Sequence, residues 1–295
     1  MPAWKLFSFK NTLATMSTPL AFSNPRAACY LNAALQLLLT VDVPTWGTSP
    51  LAAYLDHLRS LQKKGHGTVI SAWSDLNKYL SPYNRYKHEQ EDAHEMLMAL
   101  LDTVRNDPLV NTLFGLKTLQ IVTCMACSNV SYTHGTQTQI TVDNSTRRMS
   151  DVFRNFGLKE FLGEYKCDRC ASHDPAVRTQ AEKSTRVQEW PPYLLFHVIR
   201  FDNDGRKVNS PFVFPVHFQD TEDKRGYVLD ACVLHSGTLL QSGHFKTVVR
   251  LHNPSFLMTD DDSQAARVDI ADLNSDIFQK QVYLLLYRQV KPKKN

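Results

Sequence analysis

Two cysteine pairs limit what this chain can fold into more than any other feature. Cys124 and Cys127 form one C-x-x-C, Cys167 and Cys170 form a second, and residues 128–166 separate them. Each pair fits on a tight turn, so the four sulfurs can face one another as the complete tetrahedral ligand set of one structural zinc ion. With all four positions taken by protein, such an ion has no open site and no catalytic role. If the pairs converge, everything between them must leave one turn and return to the other. That separation exceeds the spacing of common small zinc modules and leaves room for strands. The other two cysteines, Cys29 and Cys232, stand alone.

Paired cysteines read as metal ligands rather than disulfides in a reducing compartment. The stretch Met1–Phe7 lacks the charged, apolar and small-residue order of a secretory signal. The expected location is therefore cytoplasmic, nuclear or both. A chain of 295 residues with 43% hydrophobic residues and a net charge of +4 reads as soluble and large enough for a substantial core. No apolar run reaches the length of a membrane span. Lys291, Lys293 and Lys294 read as a solvated tail, and no basic stripe interleaved with aromatics argues for a nucleic-acid module. Neither nucleic acid nor membrane is expected as a partner, and a monomer is expected.

Hydrophobic periodicity divides the chain. Residues 1–19 show no clean period. Leu31, Ala34, Leu35, Leu38 and Leu39 recur at helical spacing after Cys29. Ser49 and Pro50 mark a second helix start, with a stripe of Leu51, Tyr54, Leu55, Leu58 and Leu61 ending at Gly65. Further helices are predicted from Ser71 and from Gln90 to Val104, and two short helical pieces between Met149 and Gly163. Strands are predicted at Leu119–Thr123, Val130–Val142, Tyr193–Phe201, Phe212–Phe218, Tyr227–His235, His244–Leu251 and Val282–Arg288. Helices first and strands afterwards predict an α+β fold.

Cys29 sits where the helix that follows would begin, and unpaired backbone N–H groups there favour an anion. A thiolate is the reactive form of cysteine. A cysteine hydrolase also needs a histidine, a group to orient it and donors for an oxyanion. Among eleven histidines, His244 stands out because it opens a strand beside Gly243, where a missing side chain lets another backbone approach. Downstream lies Asp260-Asp261-Asp262, one carboxylate of which can accept the imidazole N–H.

Several segments together resemble the ubiquitin-specific proteases, the papain-like deubiquitinases. Asn24-x4-Cys29-Tyr30-Leu31-Asn32-x3-Gln36 resembles their cysteine box. Gly237, Gly243-His244-Phe245 and Asp260-Asp261 resemble their histidine box. Gln90–Leu97 is similar to their Gln-Asp-x-x-Glu-Phe-Leu helix, Leu195–Phe201 to their Leu-x-Arg-Phe segment, and Tyr283–Tyr287 to their closing strand. The resemblance runs from about Leu20 to Arg288. It implies a papain-like thumb, palm and fingers within one catalytic domain over residues 20–290. The helical thumb would take residues 20–115, the zinc-bearing fingers 116–192 and the β-rich palm 193–290, with 291–295 as a tail. It further implies Cys29 as nucleophile, His244 as base and Asn24 as oxyanion donor. Asp260 would orient the histidine, with Asp261 as the alternative, and Gly243, Asp92 and Glu95 would meet the substrate. The substrate would be ubiquitin or a ubiquitin-like modifier on its conjugates, cut after its C-terminal glycine. Arg26-Ala27-Ala28 stands where the family usually has a Gly-Asn-Thr-like run. Other readings are a ubiquitin-binding pseudoenzyme, a general papain-like peptidase and a zinc-dependent nucleic-acid module. The full set Cys29, His244, Asp260 and Asn24 argues against the first. The paired C-x-x-C turns argue against the second, and the near-neutral charge against the third.

Overall fold

The computed structural model describes residues 4–5, 18–65, 69–80, 89–104, 108–155, 158–172, 174–202, 204–220, 225–252 and 255–290. The predicted basic tail and most of the N-terminal segment lie outside them. The first third is helical: α1 (Cys29–Leu39), α2 (Pro50–Lys63), α3 (Ala72–Leu76), α4 (Ala93–Thr103) and α5 (Pro108–Phe114). Every residue of α1 is buried, because the helix runs through the middle of the thumb and packs on α2, α4 and the palm sheet. Burying one Leu side chain contributes about 1.5–3 kcal/mol, so the leucines of α1 anchor this half of the molecule. Helix α2 starts as its sequence dictates, with Ser49 accepting the Ala52 N–H and Pro50 in the first turn.

The middle of the chain forms β2 (Leu116–Cys124), β3 (Val130–Gln137), β4 (Ile140–Val142), α6 (Met149–Asn155), β5 (Glu160–Tyr165), α7 (Asp168–Ala171) and β6 (Thr179–Glu189). Strands β2, β3, β5 and β6 make a four-stranded sheet in the order β3-β2-β6-β5, the fingers. The rest supplies β7 (Tyr193–Val198), β8 (His217–Asp220), β9 (Gly226–Ser236), β10 (His244–His252), β11 (Ser255–Thr259), β12 (Ala266–Val268), α8 (Ile270–Leu273), α9 (Asp276–Gln281) and β13 (Val282–Val290). These strands build the palm sheet in the order β12-β11-β10-β9-β13-β7-β4; β8 pairs with β9, and β1 (Trp4–Lys5) with β8.

The palm strands β7, β9 and β13 read as nearly continuous apolar runs because both faces are covered. Tyr193 and Leu195 of β7 join the thumb core with Ala231, Val233, Leu284 and Leu286. Leu194 and Phe196 join a second core behind the sheet with Phe153, Phe212, Cys232 and Leu285. A buried carboxylate, Asp230, ties the strands together, accepting from Arg288 Nε at 2.6 Å with Arg250 Nε at 3.7 Å. Among the described residues no helix is long and apolar enough to cross a membrane.

Four sequence expectations differ from the structure. Val130–Val142 is two strands in two different sheets, because the chain leaves the fingers at Thr138 and enters the palm edge at Ile140. The second helical piece expected before Gly163 is strand β5, recruited as the partner of β6. Only His217 and Phe218 of the expected Phe212–Phe218 strand are in one, and Phe212 and Phe214 instead fill the rear core. Strand β6 was not expected, since Thr179–Glu189 is polar except for Ala181 and Val187. Cross-strand charge pairs such as Lys183–Glu160 and Lys117–Glu189 serve it in place of a buried face.

Candidate active site and metal centre

The site lies where α1, α4 and the β10–β11 hairpin meet. Cys29 is the first residue of α1, and the Ala28 N–H before it donates to Asn24 Oδ1 at 2.6 Å. That bond fixes the Asn24 amide, whose Nδ2 donates to Asp261 Oδ2 at 2.6 Å. Asn32, one turn along α1, donates to the other Asp261 oxygen at 2.7 Å. Asp261 is therefore bound by two amides, and its nearer oxygen stays 3.9 Å from the His244 ring. The Asp261 backbone has φ 53, which turns its carboxylate away from the line of β11. The Phe22 N–H holds that backbone by donating to the Asp261 carbonyl.

His244 opens β10, and its Nε2 lies 2.5 Å from Asp260 Oδ1. Hydrogen bonding with Cys29 pushes the imidazole up to about 9, aided by Asp260 and opposed by partial burial. With Nε2 on the carboxylate, Nδ1 is the nitrogen left for the thiol. The imidazole thus joins residues from the two ends of the chain. Of the two candidate orienters, Asp260 holds the ring, whereas burial raises the carboxyl of Asp261 above its usual range. Cys29 is only 2% exposed, and its sulfur lies 3.5 Å from Gln90 Oε1. Gln90 is thus in contact with the sulfur that a substrate would have to reach.

Asp92 is the N-cap of α4 rather than part of its side. Its carboxylate accepts the His94 and Glu95 N–H groups and the Tyr283 hydroxyl. Of the two carboxylates expected to meet the substrate, Asp92 thus caps the helix end, with Glu95 exposed beside it. His94 stacks on His197 at 3.7 Å, and burial lowers His197 to about 3. Gly243 was expected to leave room for a substrate backbone. Instead, the place of its missing Cβ is taken by His235, whose Nε2 would lie 1.9 Å from such an atom. Burial, then Lys207 and His244, hold His235 down to about 4, so this platform under the loop is neutral. Sequence reading missed the parts of Gln90, Asn32 and Tyr283, although all three fall inside segments whose patterns it used.

At the far end of the fingers the two C-x-x-C turns converge, with all four sulfurs within 4.8 Å of one another. Cys127 and Cys167 are 3.6 Å apart, and Cys124 and Cys170 are 3.9 Å apart. Four ligands at the usual zinc–sulfur length of about 2.3 Å would stand about 3.8 Å from each other, so the donor set fits one ion. The thiols also crowd one another electrically. The Thr179 hydroxyl brings Cys124 down to about 6, whereas hydrogen bonding with Cys127 leads the effects that raise Cys170 to about 12. A cation among them would let all four ionise.

The profile of the family described as ubiquitin carboxyl-terminal hydrolase matches residues 21–287. Among similar proteins, the mouse Ubiquitin carboxyl-terminal hydrolase 17-like protein E is 27% identical, across 90% of this chain and 54% of its own length. The Arabidopsis thaliana Ubiquitin carboxyl-terminal hydrolase 21 is 27% identical over 80% of this chain and 35% of its own. A Schizosaccharomyces pombe relative, Probable ubiquitin carboxyl-terminal hydrolase 16, is 24% identical over 77% and 53%. The chain spans about half the length of these relatives or less. The match takes in the thumb helices, the fingers and the palm strands in one continuous stretch, and on it this chain belongs to the ubiquitin carboxyl-terminal hydrolase family.

Proposed function

We propose that this chain is a deubiquitinating cysteine protease that hydrolyses the bond after the C-terminal glycine of ubiquitin. The observation that carries this reading is His244 Nε2 held 2.5 Å from Asp260 Oδ1, on an imidazole whose pKa is raised by its interaction with Cys29. The Cys29 thiolate attacks the glycine carbonyl. The second Asn24 amide hydrogen and the Cys29 backbone N–H then receive the oxyanion, an interaction typically worth about 3–4 kcal/mol. His244, protonated at neutral pH, gives its proton to the departing lysine amine. It next takes a proton from the water that opens the thioester. Asp260 keeps the imidazole oriented throughout. The carboxylates of Asp92 and Glu95 at the start of α4 suit a basic, extended C-terminal tail. Cys124, Cys127, Cys167 and Cys170 would hold one structural zinc ion, whose chemistry here is to close the fingers.

Hydrolysis of ubiquitin carrying a C-terminal aminomethylcoumarin tests the reading. The expected result is turnover in the wild type and none in Cys29→Ala. A second reading, a binder that does not cleave, draws on the burial of Cys29 under Gln90. A ubiquitin probe with a C-terminal electrophile separates the two, since only a competent thiol becomes covalently labelled. The same probe built on ubiquitin-like modifiers decides which of them the protein prefers.

A further inference from the structure

Asp260 serves two cations. While Oδ1 holds His244 Nε2 at 2.5 Å, Oδ2 holds Lys246 Nζ at 2.7 Å. The arrangement follows from strand geometry. His244 and Lys246 are two apart on β10 and share a face. The register of the hairpin pairs Thr247 with Thr259, which places Lys246 opposite Asp260 one step further along. Asp260 lies past the end of β11 and keeps 30% side-chain exposure, so without a second partner water would compete for the carboxylate and let it turn.

We propose that Lys246 is a positioning residue for the hydrolysis: its ammonium clamps the Asp260 carboxylate so that one oxygen stays aimed at His244, and it limits how strongly that carboxylate holds the imidazolium. This rests on the reading of Cys29 and His244 given above. Burial works against the charge of Asp260, but hydrogen bonds from His244 and Lys246 outweigh it and hold the carboxyl below its usual range. Among the described residues, the charged or titratable groups around His244 are Cys29 from α1, His235 from β9, Asp260 and Asp261 from the turn after β11, and, through Asp260, Lys246 from its own strand. Lys246 is the one lysine among them. Removing it frees more of the Asp260 charge for the imidazolium and raises the pH at which His244 loses its proton. The same change loosens the carboxylate and slows the reaction.

Lys246→Met and Lys246→Arg test this by two measurements. One is the pH profile of coumarin-ubiquitin hydrolysis; the other is the pH profile of Cys29 alkylation by iodoacetamide, which needs no ubiquitin recognition. For Lys246→Met the expected results are kcat down roughly tenfold with KM nearly unchanged. The alkaline inflection should also move up by about half a pH unit to one unit in both profiles. Lys246→Arg should restore most of kcat and the wild-type inflection. In an Asp260→Asn background Lys246→Met should change neither quantity further. Wild-type kcat and inflection in Lys246→Met would overturn the proposal, as would the same loss persisting when Asp260 is Asn. Failure of the wild type to cleave ubiquitin would instead remove the functional reading, while the alkylation profiles would still report whether Lys246 acts on His244.

Discussion

The thumb–palm seam and the fingers hold their chain in place by opposite means. At the seam every residue of α1 is buried, and the strands behind it are apolar on both faces. In the fingers, β3 is exposed almost throughout, and Tyr132 and Phe161 stand open at 62% and 70%. A sheet with so little buried surface cannot offset its own ordering entropy, so an ion held by the four sulfurs at its tip would be its main anchor. The lesson is that the candidate reacting groups sit where packing is dense, while the four-sulfur cluster sits where packing is thin.

The largest expected effect tests whether the two regions are chemically separate. Cys29→Ala should lower hydrolysis by at least about a thousandfold, with metal content by mass spectrometry and the melting curve unchanged. A drop in bound metal in that variant would break the separation.

Chelation, or Cys167→Ser, should act on the other side. A structural zinc site of this type contributes on the order of 10 kcal/mol to folding. Hydrogen exchange should therefore quicken in β2, β3, β5 and β6 while α1, β9 and β13 stay protected. If the palm strands open as well, the two regions are one cooperative unit.

Asp261→Ala sharpens the account of the seam. It frees the Asn24 and Asn32 amides and should lower kcat by about tenfold to a hundredfold. The alkaline inflection of Cys29 alkylation should stay in place, because the carboxylate on the imidazole is Asp260. A shifted inflection would return Asp261 to the role of orienter.

Acid should weaken the palm. His235 is buried and His197 and His217 are half-buried, and desolvation lowers the pKa values of His197, His217 and His235 to about 3, about 4 and about 4. The unfolded chain binds these protons near pH 6.5, so stability falls as pH drops from about 6.5 towards 4. His244 has the opposite sign: raised to about 9, its contribution is complete below 6.5 and fades as pH rises through 9. Thermal melts across pH 4–10 with Cys167→Ser as the background isolate the palm, and a flat profile would contradict both assignments.

The smallest effect concerns Arg26, which holds φ 77 in the loop before Cys29. A side chain in that region costs about 1–2 kcal/mol, and part of the gain from glycine is lost to its greater unfolded freedom. Arg26→Gly should thus stabilise the protein by about 1 kcal/mol or less in chemical unfolding. A destabilised variant would show that Arg26 makes a contact of greater worth than the strain.

Much of this arrangement was legible in local pattern. The burial of α1, the Ser49–Pro50 start of α2 and the apolar runs of β7, β9, β10 and β13 follow from periodicity and capping, which depend on neighbours in sequence. Strand β6 and the break at Thr138 were not legible, because a polar strand is decided by its partners and a change of sheet leaves no mark in composition. In the site, Cys29 stood out by its place at a helix start and His244 by its flanking glycine. Asp92 as a cap, Gln90 over the sulfur and His235 under Gly243 did not, since each is a contact between distant segments.

The order of residues determined which chemical groups this protein owns: a thiol at a helix start, an imidazole at a strand start, a run of carboxylates and four paired sulfurs. Folding alone decided which carboxylate each group received. Asp260 and Asp261 are neighbours of one kind, and no local rule distinguishes them. The left-handed turn at Asp261 sends one to the imidazole and Lys246, and the other to two amides from the opposite end of the chain. Hydrogen-bond partners are chosen by proximity in space, and that proximity exists only once the thumb is packed against the palm.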